Sequence, residues 1–174
     1  ISSFFIYKQI KEDNEQESIF NELNEIIQDD KPNNLNNNSN ENTDININEL
    51  YNINKDLIGW IKINNTDINY PVMQTKNNPD YYLRRNFNKE YSSWGTPYLE
   101  EECNMNSSSN LVIYGHHING NKMFGELEKY KDKNFYESHK YIDLYTLDNY
   151  QKYEILFVFK TTTNANFKYY EYIN

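Results

Sequence analysis

The sequence predicts a mainly β domain, a barrel with helices at its N-terminus and periphery, and three observations support that expectation. From Leu57 onward the apolar residues come in short runs broken by Asn, Asp, Gly and Pro, the texture of many short strands joined by turns. One long helical period precedes them, within residues 15 to 28. No internal repeat or heptad period competes with this pattern.

The chain opens with Ile1-Ser2-Ser3-Phe4-Phe5-Ile6-Tyr7 and turns polar at Lys8. That apolar run is too short to span a bilayer; it reads either as the last turns of a membrane anchor or as the first turn of a helix packed on the domain. Ile19, Phe20, Leu23, Ile26 and Ile27 then recur at helical spacing between acidic and amide residues, which predicts an amphipathic helix inside an N-terminal helical region, residues 1–30. Residues 29 to 48 bring Pro32, repeated asparagines, Ser39 and carboxylates, with hardly an apolar side chain before Ile45. Such a stretch cannot offset the entropy lost on ordering, so residues 31–49 read as a polar linker or surface loop leading to a barrel domain over residues 50–174.

In that domain Trp60, Ile61 and Ile63 suggest a strand, Asn64-Asn65 a turn, and Ile68 to Gln74 a second strand in which Pro71 favours an edge position. Asn77-Asn78-Pro79-Asp80 begins a loop or short helix with Tyr81, Tyr82 and Leu83, and Tyr98-Leu99 lies near the next strand. Asn110 to Tyr114 reads as a buried strand, and Met123 to Tyr130 as a helix with Met123, Phe124 and Leu127 on one face. Tyr141 to Tyr145 sets Ile142 and Leu144 on one side, Asp148-Asn149 is turn material, and Tyr153 to Lys160 is apolar enough for a central strand.

Charge narrows the function. A net charge of -9 and the lack of a basic stripe argue against nucleic acid as a partner. A single cysteine, Cys103, permits no internal disulfide. It follows Glu100-Glu101-Glu102, carboxylates that oppose a thiolate, so it reads as an ordinary surface or edge thiol rather than a nucleophile.

Chemistry concentrates at Leu111-Val112-Ile113-Tyr114-Gly115-His116-His117, where an apolar strand delivers two imidazoles at its exit. A rigid strand end suits a general acid or base, and an unperturbed pKa of about 6.5 lets one histidine act in both directions near neutral pH. Adjacent residues on an extended strand point oppositely, so only one of the pair should face a groove. Two neighbouring histidines without HExxH or CxxC spacing do not make a zinc site, no EF-hand pattern is present, and neither a metal nor another cofactor is expected. His139, in Glu137-Ser138-His139-Lys140, reads as a surface residue.

Taken in order, Gly59-Trp60-Ile61-Lys62-Ile63, Tyr70-Pro71-Val72-Met73-Gln74, Tyr82-Leu83, the Tyr114-Gly115-His116-His117 strand end and Met123-Phe124-Gly125-Glu126-Leu127 resemble the class B sortases, the Gram-positive cysteine transpeptidases. The resemblance covers nearly all of residues 50 to 163. It implies an eight-stranded barrel, here without its C-terminal strands, with His116 catalytic and Tyr114, Leu83 and Asn78 as substrate-binding positions. Tyr114, two residues before His116, should point to the same side. The implied reaction cleaves a C-terminal sorting signal through an acyl-enzyme and joins the new end to a peptidoglycan amine. The implied partners are the sorting-signal peptide, that amine and, through an N-terminal anchor absent from this chain, the membrane; the implied location is the outer, cell-wall face of the membrane. The family's late-strand cysteine, in a TLSTC-like segment, and its arginine on the next strand have no match here, so the chain alone is expected to be inactive. The alternative is a noncatalytic cell-surface module that binds peptides in the same groove.

Overall fold

With neither glycine nor proline between Ser2 and Gln28, nothing stops the first helix, and α1 runs over all 27 of those residues. The computed structural model describes residues 2–28 and 47–162. α1 starts well before residue 15, but only its second half is held down: Gln16, Phe20, Leu23 and Ile27 are buried along one face. Phe4, Phe5, Ile6 and Tyr7 are 58% to 68% exposed, so the first turns do not pack on the domain. No helix among the described residues is long and apolar enough to cross a membrane. Most of the stretch read as a linker lies outside the described residues, and its last part, from Ile47, already belongs to helix α2, Ile47–Ile53, which buries Ile47 and Leu50.

Strands β1 (Leu57–Lys62) and β2 (Asn69–Met73) form the expected antiparallel hairpin, with Trp60 opposite Pro71 and Ile61 opposite Tyr70. Asn65 takes a positive φ of 61° in the turn, a conformation asparagine tolerates better than most side chains. β3 (Tyr98–Leu99), β4 (Ile113–Tyr114), β5 (His117–Ile118) and β6 (Lys122–Met123) are two-residue strands, while β7 (Tyr141–Thr146) and β8 (Tyr150–Glu154) form a second hairpin. The main sheet runs β4-β3-β2-β1-β7-β8, and β5 pairs only with β6. Short 3-10 helices cover Tyr81–Arg84 and Phe124–Lys131, and α3 covers Lys133–Ser138, capped by the Asp132 carboxylate, which accepts from the Asn134 and Phe135 amides.

Several expectations need correction. Among the described residues the chain is not mainly β: helical content is 35% against 23% strand, because α1 is twice as long as its amphipathic stretch and several strands shrink to two residues. The sheet itself is a curled, open half-barrel. Tyr153 to Lys160 is not a central strand; β8 ends at Glu154 on the sheet edge, and Leu156 and Phe157 are 77% and 71% exposed. Pro71 is not on an edge strand, yet β2 meets β3 only at Met73, so the missing proline N–H breaks no ladder on that side. The strand expected over Asn110–Tyr114 is likewise reduced to half-buried Ile113 and Tyr114.

The core lies between the sheet and the two N-terminal helices. Leu50, Leu57, Trp60, Val72 and Met73 are wholly buried there. Asn54, directly after α2, ties this layer to the next loop: its amide donates to the Tyr82 hydroxyl at 2.9 Å and the Phe87 carbonyl at 2.6 Å. That loop leads to the site.

Candidate active site at the end of strand β4

The strand-end geometry follows from sterics at Gly115. A Cβ there would lie 2.5 Å from the Phe124 ring, so only glycine lets the Tyr-Gly-His-His segment press against the Met-Phe-Gly segment. The Phe124 amide then donates to the His116 carbonyl at 2.9 Å. These two motifs, separate in sequence, thereby form one corner.

The other wall is the segment Ser92–Thr96. It folds back on the 3-10 helix Tyr81–Arg84: the Ser92 amide donates to the Arg84 carbonyl at 3.1 Å and the Thr96 amide to the Tyr82 carbonyl at 3.0 Å. Gly95 sits between them at φ 63°, where a Cβ would come within 2.6 Å of the Tyr82 and Leu83 carbonyls. Arg84 is drawn into the same corner, donating through Nη1 to the Ser93 carbonyl at 2.9 Å.

His116 is half-buried between these walls, and His117 is exposed. Burial, reinforced by the Arg84 guanidinium, holds the His116 imidazole below its ordinary value, against an opposing hydrogen bond to the Trp94 backbone. The ring is therefore mainly neutral at pH 7 and ready to accept a proton. His117 turns outward, its Nε2 3.4 Å from Glu128 Oε1. The two imidazoles do differ in direction, but strand alternation is not the reason: β4 ends at Tyr114 and β5 starts at His117.

Tyr114 stands across from Tyr98, ring centroids 5.3 Å apart, and its hydroxyl donates to the Glu100 carboxylate. Leu83 is 38% exposed on the 3-10 helix that bears Arg84. Asn78 lies in an exposed turn in which its carbonyl accepts from Thr75 Oγ1 at 2.7 Å. Cys103 is not the surface thiol expected: it is fully buried, Sγ 3.6 Å from the Asn110 carbonyl, beneath a turn that Gln74 braces by donating to the Glu100 and Cys103 carbonyls. His139 packs its ring on Phe135, centroids 4.1 Å apart. Among the described residues no three His, Cys, Asp or Glu side chains converge as a metal site.

Sequence reasoning missed Arg84 and Trp94, which stand 32 and 22 positions before His116 in the chain. Arg84 directly follows the Tyr82-Leu83 pair, but only the fold of the Ser92–Thr96 segment reveals where its charge lies.

Residues 61–172 match the Sortase domain model, and the chain belongs to that family. Within it the chain is a class B member. It is 42% identical over 122 residues to sortase B of Staphylococcus aureus, covering 68% of this chain and 48% of that protein. Identity to sortase B of Listeria monocytogenes is 38% over 118 residues, 67% of this chain and 47% of that one. The structure of a Staphylococcus aureus sortase B-substrate complex superposes with a TM-score of 0.65 at 36% identity, covering 69% of this chain and 56% of that chain. The chain thus spans about half the length of the curated relatives it matches.

Proposed function

We propose that this chain forms the acid–base part of a cysteine transpeptidase that cleaves a C-terminal sorting signal and attaches the new acyl end to a peptidoglycan amine. The supporting observation is His116 itself, half-buried at a corner built by the matching motifs, with its pKa lowered by burial and by Arg84. In this reading His116 takes the proton of a family thiol, the resulting thiolate attacks the signal's carbonyl carbon and the peptide C–N bond breaks. His116 donates a proton to the departing amine, then accepts one from the amine nucleophile that displaces the thiolate. Tyr114, Leu83 and Asn78 contact the sorting peptide, a role consistent with partial exposure of all three. The reaction takes place at the outer face of a Gram-positive membrane, with an N-terminal anchor holding the enzyme there.

Residues 1–174 alone should show no thiol-dependent cleavage, because their one cysteine is fully buried. In a longer protein that includes the family's cysteine and arginine, His116→Ala should lower sorting-peptide turnover about 10²–10⁴-fold with an unchanged circular dichroism spectrum. His117→Ala should cost far less. A dead but folded His117→Ala beside an active His116→Ala would shift the assignment by one residue. Peptide binding without cleavage, unaffected by His116→Ala, would identify a binding module instead.

A further inference from the structure

The corner around His116 is held from outside by α1. Three consecutive residues of the Ser92–Thr96 segment are bonded to one turn of that helix: Ser92 Oγ donates to Gln16 Oε1 at 2.6 Å, the Ser93 amide to Glu12 Oε1 at 2.6 Å, and the Trp94 indole to Asp13 Oδ1 at 2.8 Å. The inner side of the same segment meets His116 through the Trp94 backbone and fixes Arg84 through the Ser93 carbonyl. A further link joins α1 to the hairpin that follows the histidines, since Lys122 on β6 pairs with Glu17 and lies 4.8 Å over the Trp94 ring.

We propose that Glu12, Asp13 and Gln16 are positioning residues, which set the orientation of His116 by clamping the Ser92-Ser93-Trp94 segment. This inference rests on the reading of His116 as the acid–base residue. Covering the core alone does not require these bonds; Phe20, Leu23 and Ile27 already do that one to three turns further on. Three hydrogen bonds from one helical turn to three successive residues restrict the segment far more than a single apolar contact would, and catalytic groups lose efficiency when displaced by fractions of an ångström.

The test reads His116 directly. The charged groups facing His116 and its segment are Arg84 from the 3-10 helix, neighbouring His117 paired with Glu128, Lys122 on β6 over the Trp94 ring and paired with Glu17, and Glu12 and Asp13 on α1. In the 174-residue protein, Glu12→Ala with Asp13→Ala should let the segment and Arg84 drift away. All three influences on His116 then weaken, the depressing burial and Arg84 charge outweighing the Trp94 backbone hydrogen bond that opposes them, and its NMR titration midpoint should rise toward the ordinary value. Simple loss of two negative charges would move the midpoint down, the opposite sign. Glu12→Gln with Asp13→Asn removes the same charges but keeps both acceptor oxygens, so its midpoint should not rise above the parent's. Glu22→Ala, on the exposed side of α1, serves as control.

A folded alanine pair with an unshifted or lowered midpoint overturns the proposal. If the pair does not fold, Asp13→Ala alone is read in the same way. In the longer protein with its cysteine, the alanine pair should lower kcat about 10-fold with KM nearly unchanged, and the amide pair should restore it. Absence of turnover in that parent would count against the transpeptidase reading, while the NMR midpoint would still decide the clamp.

Discussion

The β1–β2 hairpin and the flank running from β4 to the Phe124–Lys131 helix belong to one molecule but are built to different standards. Around the hairpin, Trp60, Leu57, Val72 and Met73 are sealed under α1 and α2, and the Trp60 indole donates to Asn69 Oδ1 at 2.7 Å. On the flank, Ile113, Leu111, Phe124 and Leu127 are only half-buried around an apolar cleft of about 420 Å³ that also reaches Ile61 and Ile63. His116 stands where the two standards meet: its carbonyl is bonded to the half-covered Phe124 helix, and its ring leans on the Trp94 segment tied to α1. Stability and chemistry are thus assigned to different layers, and substitutions in each should report separately.

The largest effect is expected at the sealed hairpin. Trp60→Ala should cost about 3–5 kcal/mol in chemical denaturation, from the cavity and the orphaned Asn69. A loss below about 1 kcal/mol would show that the two regions are equally loose. Next comes the corner itself: Gly115→Ala should cost about 1–3 kcal/mol, because the new methyl meets the Phe124 ring. Adding Phe124→Ala should shrink that penalty in a double-mutant cycle; additive losses would mean that the clash is not with Phe124.

A smaller, pH-dependent effect should come from His116. Its folded pKa lies below the unfolded value, so the unfolded chain binds more protons in the window beneath about pH 6.5. The stabilisation is therefore complete above that pH and is lost as pH falls toward the folded pKa. Thermal melts of His116→Asn should lack this component, whereas His117→Asn should leave it in place. The smallest effect belongs to the open flank: Leu156→Ser, at a side chain 77% exposed, should alter unfolding free energy by less than about 0.5 kcal/mol. A loss of several times that size would show Leu156 to be packed in solution.

Much of the fold was legible where local pattern and tertiary environment agree. The Trp60 and Val72 strands, the Asn64-Asn65 turn, the Tyr141 to Tyr145 alternation and the buried stripe of Phe20, Leu23 and Ile27 follow from periodicity and turn chemistry alone. The same reading failed at Tyr153 to Lys160, since an apolar run becomes a strand only if a neighbour accepts its ladder bonds, and pairing is not encoded locally. It failed at Cys103 because acidic neighbours in sequence say nothing about the Gln74-braced turn that buries the thiol.

By itself, the sequence determined that this chain has the class B sortase motifs, that His116 stands at the exit of an apolar strand, and that its one cysteine lacks the family setting. Only the tertiary structure decided that Arg84 shares the corner with His116, that His117 turns to Glu128, and that Glu12, Asp13 and Gln16 reach across about 80 residues to the segment behind the imidazole. The reason is physical: periodicity records which face of an element is apolar, but the sign and size of a pKa shift depend on burial and on charges brought close through space.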